Sequence, residues 1–303
     1  MSNTIHKIYI GSFFFIGILV TILVGAKGFN YYISPEEERV YSQESSNEGV
    51  PVFNEEHNLL KPSGPYGHGY GIIGSTMMIV GVGIYMVRKR VRKLFNWGIL
   101  KYWLEFHIFL CTLGPILVFY HTAMKFGGLV AVSFWSMVAV VLSGIIGRFI
   151  YIQIPRTIQG KELDKKEIDE ISDNINFELR NKYHLDEGIL IKLDEFSDRE
   201  RYKHIHLSTI FLFLFKDFFK VRKSLKNFKK DLLLKTNSKI EKKEAYKAAK
   251  QKLLFSRRIG ILRLMQKMFK YWHIVHLPFA IAMFVIMIIH IVVALTFGYK
   301  WIF

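Results

Sequence analysis

Cysteine is all but missing from this chain: Cys111 is the single thiol, and it lies inside an apolar run. One thiol excludes an internal disulfide framework, a four-cysteine iron–sulfur cluster held by this chain alone, and c-type haem attachment through Cys-x-x-Cys-His. Any redox cofactor must use other ligands. Acidic residues are also scarce, 25 against 42 Lys and Arg, for a formal net charge of +17. The segment 155–272 has no Gly-rich fingerprint of the kind that cradles a dinucleotide.

What the chain has in quantity is apolar side chains, 51% of its 303 residues, gathered into long runs between charged stretches. That layout is expected of a membrane protein with soluble loops. Runs at 8–26, 70–87, 99–122, 129–154 and 273–297 meet the length of roughly 20 residues that a spanning helix needs. The first has no small-residue cleavage site and is read as a retained helix. The fold expected is an all-α, five-span transmembrane helix bundle with a basic, largely helical cytoplasmic insertion. Its parts are a first helix within 1–27, an acidic outer loop at 28–69, helices two to four within 70–154, the insertion at 155–272, and the fifth helix with a short outer tail at 273–303.

Loop charges orient this bundle. Residues 28–69 carry Glu36, Glu37, Glu38, Glu55 and Glu56, whereas the loop after the second run opens Arg88-Lys89-Arg90-Val91-Arg92-Lys93. The positive-inside rule places that cluster in the cytoplasm, with the N-terminus inside and the C-terminus outside. Segment 201–270 holds 21 Lys and Arg against 4 Asp and Glu, which accounts for the whole excess of positive charge. Its partners are expected to be anionic lipid or an acidic redox protein, not nucleic acid. The apolar stretch at 205–215 is too short to cross and is read, with 218–228, as a helix on the membrane surface. The stretch 239–252 is expected to be helical and solvated. If 204–220 crossed instead, the fifth span would invert and the histidine partners described next would exchange.

His107 and His121 lie in the third run, and His276 and His290 in the fifth, each pair fourteen residues apart. Fourteen residues are close to four turns, so both members of a pair share a helix face about 21 Å apart. The two spans are parallel in this topology. His107 and His276 then lie level near the cytoplasmic side, and His121 and His290 near the outer side. A low-spin haem iron takes one axial ligand on each face, and two imidazoles from different helices supply them. The pattern therefore points to two haem b groups stacked through the bilayer. Zinc or non-haem iron would want its ligands clustered. A lone intramembrane histidine is more often an interhelical hydrogen-bonding residue; four at matched depths are not so explained.

Gly114, midway between His107 and His121, is a position where a missing side chain would admit a macrocycle, and Gly74, Gly81, Gly144 and Gly147 are open to the same reading or to plain helix contact. Arg148, Lys101 and Arg88 are candidates to pair with propionates of the inner haem, and Lys125 with those of the outer one; the other reading is interfacial anchoring. His273 lies about 100° off the face of His290, so His276 is the better ligand. His68, in the Gly-rich stretch 64–71, is either a neighbour of the outer haem or a loop histidine without special role.

The paired histidines, with Trp272-His273-Ile274-Val275-His276-Leu277 opening the fifth run, resemble the ferric reductase and NADPH oxidase type of transmembrane di-haem cytochrome b. The pairing is also similar to that in the cytochrome b of quinol–cytochrome c reductases. The likeness covers roughly 70–154 and 272–298. It implies electron transfer across the bilayer between a cytoplasmic or quinone-pool donor and an acceptor beyond it. The family's flavin and nicotinamide domains and its sixth span have no counterpart here, so the expectation is a haem-bearing subunit of a larger redox assembly in a bacterial cytoplasmic membrane, with redox partner proteins or quinone at its ends. Two other functions stay open: a terminal ferric or oxygen reductase at the outer face, and a non-redox scaffold or transporter.

Overall fold

The structure, a computed structural model, describes residues 3–35, 38–39, 55–94, 97–128, 130–155, 162–182, 188, 191, 209–235 and 239–297. His184, His204, His206, Glu36, Glu37 and the tail 298–303 lie outside the described residues. Among the described residues the chain is all-α, and five helices are long and apolar enough to cross a membrane. It is an integral membrane protein.

Two compact units divide it, one of residues 1–145 and 274–303, the other of residues 146–273. In the first unit, α1 (Asn3–Lys27) is followed by the short helices α2 (Phe29–Ile33) and α3 (Glu55–Leu60). The acidic loop expected at 28–69 is thus partly helical. Next come α4 (Pro65–Arg90) and α5 (Leu100–His121). Pro65 at the first turn suits the start of α4, and Arg88, Lys89 and Arg90 complement the negative end of its dipole. Helices α6 (Val130–Gln153) and α10 (Leu262–Thr296) each contribute to both units.

The crossing of α4 and α5 is the tightest contact of the first unit. A Cβ on Gly74 would lie 2.6 Å from the Gly114 carbonyl oxygen, and one on Gly114 would lie 2.7 Å from that of Gly74. Lipid tails give no hydrophobic drive to helix pairing, so such backbone approach supplies the dispersion energy that holds spans together. Met78, Phe134, Met137, Met283 and Met287 form a buried cluster drawn from α4, α6 and α10. Outward side chains such as Phe14, Phe15, Trp135 and Ile288 are exposed, as spans facing acyl chains require.

The second unit holds α7 (Lys165–Asn181), α8 (Ile210–Lys235) and α9 (Lys239–Gly260). Asp164 caps α7 by accepting from the Glu167 backbone N–H, while the Glu167 carboxylate accepts from that of Asp164. Leu179, Val221, Phe228, Ala245, Ala249 and Leu253 build its core. The stretch 239–252 is helical as expected, but not solvated throughout. Ala249 and Lys252 are wholly buried, and the Lys252 ammonium donates to Ser172 Oγ at 2.7 Å. The alanines at 245, 248 and 249 let α9 pack closely enough to enclose the lysine stem. Asp217 and Arg257 form a buried ion pair at 2.5 Å, and Arg257 also donates to Gln153 at the end of α6. A second cluster joins Ile150 and Ile154 to Ile261, Leu264, Met265 and Met268.

Candidate functional site

All four paired histidines belong to the first unit, His107 and His121 on α5 and His276 and His290 on α10, and each is half-buried. Three have Nδ1 engaged by a neighbouring helix. His107 Nδ1 lies 3.1 Å from the Gly81 carbonyl oxygen and His121 Nδ1 lies 2.8 Å from that of Gly67, both on α4. A carbonyl only accepts, so in both rings Nδ1 carries the proton and the neutral tautomer turns its lone pair to Nε2. His276 Nδ1 is 2.6 Å from Ser143 Oγ on α6, and that hydroxyl is itself 2.9 Å from the Val140 carbonyl, to which it donates. Orienting a metal-binding imidazole through its second nitrogen is what outer-shell partners do.

The structure brings His121 and His290 together. Their ring centroids are 6.4 Å apart and their planes are inclined by 57°. Two imidazoles bound to one iron have centroids about 6.3 Å apart, from metal–nitrogen bonds of about 2.0 Å and a ring centre ~1.15 Å behind each nitrogen. Axial coordination leaves the angle between ring planes open. The separation of the two rings matches that spacing. Among the described residues no group of three or more His, Cys, Asp or Glu converges as a metal-ion site.

Comparison with known families, characterised proteins and solved structures returns no match.

The glycines divide into two groups. Gly71 faces the site: a Cβ there would lie 2.8 Å from His121 Nδ1, so the imidazole lies against bare α4 backbone. Gly81 clears space beside Leu110 and Cys111, one turn from His107. Gly114 is taken up by the crossing with Gly74, and in the second unit Gly147 is covered by the Trp272 indole. Neither presents an open surface at those contacts, whereas a Cβ on Gly144 would meet nothing within 4 Å.

The basic residues also resolve. Arg88 is buried and donates to the Trp97 and Gly98 carbonyls at 3.1 and 2.9 Å, so it closes the loop between α4 and α5. Gly98 in that loop takes φ +67°, a conformation open to glycine. Lys101 lies 3.2 Å from His6 and 3.8 Å from the buried Glu105 carboxylate. Arg148, in the second unit, has its guanidinium 5.7 Å from the Tyr151 ring centroid. Lys125 is exposed. His273, also in the second unit, is exposed and bonds back to the Phe269 carbonyl at 3.0 Å.

His68 lies in the first turn of α4, next to Gly67 and within electrostatic reach of both His121 and His290. Around this end, Tyr31, Tyr32, Leu60 and Ala123 form a buried cluster joined by Tyr70 and Tyr120. Burial, then the neighbouring Tyr70, Tyr31 and Tyr120, hold the Tyr32 phenol well above its ordinary range. The turn after His121 places Ala123 and Met124 at φ 47° and 61°, a costly region for side chains with a Cβ. Buried Arg39 fastens it by donating to the Ala123 carbonyl at 2.8 Å. Gly67, Gly71 and Ser143 were not legible as site residues. The signals available were the glycine spacing at 64–71 and a lone hydroxyl within an apolar span.

Proposed function

We propose that this chain is a membrane cytochrome b that carries electrons across the bilayer through two b haems. One haem is held by His107 and His276 near the cytoplasmic side, the other by His121 and His290 near the outer side. The observation that carries the reading is the His121–His290 separation of 6.4 Å together with the Nδ1 bond of His121 to Gly67. When bound, haem iron in bis-histidine coordination supplies reversible one-electron transfer without an open site for oxygen. The protein's own part is positional. Gly67, Gly81 and Ser143 fix ring tautomer and direction, Gly71 gives His121 room, and the surrounding apolar residues keep water from the ligands.

The chain works in this account as a subunit of a redox assembly in a bacterial cytoplasmic membrane, N-terminus inside. A partner protein or the quinone pool meets one end, and the basic second unit meets anionic lipid in the cytoplasm. Vesicles test the transport claim. With haem-loaded protein reconstituted and ferricyanide entrapped, external dithionite should reduce the trapped oxidant far faster than in protein-free vesicles, and His276→Ala should abolish the difference. Haem-loaded vesicles that conduct no faster than empty ones would contradict transmembrane transfer. Haem reoxidation by external ferric chelate or oxygen alone would then favour a terminal reductase.

A further inference from the structure

The second unit contains a groove of about 590 Å³ between α8 and α9. On α8, Phe218, the pairs Val221/Arg222 and Leu225/Lys226, and Lys229 follow one another about one turn apart and so form one stripe. Tyr246, Lys250, Leu254 and Arg257 do the same on α9. The two stripes face one another across the groove. Each mixes apolar groups, which make its floor, with cations along its edge. Among the described residues, no acidic side chain lines it. Arg257 is neutralised by Asp217, but Arg222, Lys226, Lys229 and Lys250 have no acidic partner among the described residues.

We infer that this groove is a binding site for an anionic phospholipid, its phosphate held by Arg222, Lys226 and Lys250 and its acyl chain on the floor of Val221, Leu225 and Leu254. Charge and apolarity in one groove match an amphiphile with an anionic head. The position matches too, within this same unit: Arg257, which lines the groove, donates at 3.2 Å to Gln153, the last residue of the spanning helix α6. A lipid headgroup is found at that level of a span. Beside it α8 exposes Leu212, Phe215, Phe218 and Phe219, the apolar side chains with which an interfacial helix enters a bilayer. A bare phosphate would use the cations and leave the apolar floor wet. The inference rests on the cytoplasmic, lipid-facing placement of this unit and not on haem.

Native mass spectrometry of the full chain in detergent, titrated with dioleoylphosphatidylglycerol or dioleoylphosphatidylcholine, tests it. The parent should retain phosphatidylglycerol in preference. The triple variant Arg222→Gln/Lys226→Gln/Lys250→Gln should bind it on the order of 100-fold more weakly, from the worth of three cations near a lipid surface. A control with equal charge loss, Lys216→Gln/Lys223→Gln/Lys267→Gln, should stay within about threefold of the parent. Leu225→Trp, which fills the floor and keeps every charge, should weaken binding as well, so the test survives if the triple variant misfolds. Equal losses in groove and control variants, equal binding of the two lipids, or displacement by millimolar inorganic phosphate would overturn the site. So would capture of an acidic protein with no lipid preference. Haem content read on the same samples should match the parent, which separates failure of this site from failure of the haem reading.

Discussion

Ser143 Oγ lies 2.6 Å from His276 Nδ1, a side-chain contact like that of Cys111 Sγ at 3.5 Å from His107 Nδ1, whereas Gly81 and Gly67 meet their rings through backbone carbonyls. A substitution can delete such a side-chain contact. Ser143→Ala should leave the fold intact and weaken haem retention at the inner site roughly 10- to 100-fold, the usual cost of losing an outer-shell partner. Haem loss during serial dilution, followed spectroscopically, reads this directly; unchanged retention would remove Ser143 from the site. Gly71 gives a complementary case, because a Cβ there would meet the His121 ring at 2.8 to 3.0 Å. Gly71→Ala should shift the low-spin electron paramagnetic resonance signal of the outer haem, since the ring must turn or move away. The candidate ligands are read from spacing alone, as fourteen residues return a helix to nearly the same face. Their supports are not. Gly67 and Gly81 act through backbone carbonyls, and no residue type announces which carbonyl will meet a ring one helix away.

At the scale of elements, the crossing of Gly74 with Gly114 and the pair Asp217–Arg257 are the two contacts most exposed to substitution. Gly114→Leu should force α4 and α5 apart at a cost of roughly 1–3 kcal/mol, visible as a lowered midpoint of thermal unfolding in detergent. An unchanged midpoint would mean the helices do not touch there. Asp217→Ala leaves Arg257 charged with its buried acidic partner gone, and should destabilise the second unit by about 3–5 kcal/mol. Faster proteolysis of that unit, with membrane helices untouched, is the expected readout. The spans were legible from apolar run length, and their helices extend beyond the runs: α4 begins at Pro65 where 70 was expected, and α10 at Leu262 where 273 was expected. Hydropathy marks the lipid-facing part of a helix, not its last hydrogen bond, and polar turns at either end continue it. The burial of α9 escaped sequence reading for a related reason. Its lysines suggested a solvated helix, while the alanines that seat it carry little hydrophobic weight.

For the molecule as a whole, the sequence carried the membrane class, the five spans and the candidate ligands. The division into two units, with α6 and α10 contributing to both, became visible only once the helices were in place. One unit holds the four paired histidines; the other holds the segment 201–270, whose 21 Lys and Arg against 4 Asp and Glu set the charge of the chain. The proposed electron path lies within the first of these units and the proposed lipid site within the second. The haem-to-protein ratio tests the central claim most directly, measured by pyridine haemochrome on chain purified after haem-sufficient expression. The account predicts two b haems per chain, falling to about one in His121→Ala and in His290→Ala, with the remaining haem still low-spin. A colourless parent protein, folded and in the membrane, would contradict it.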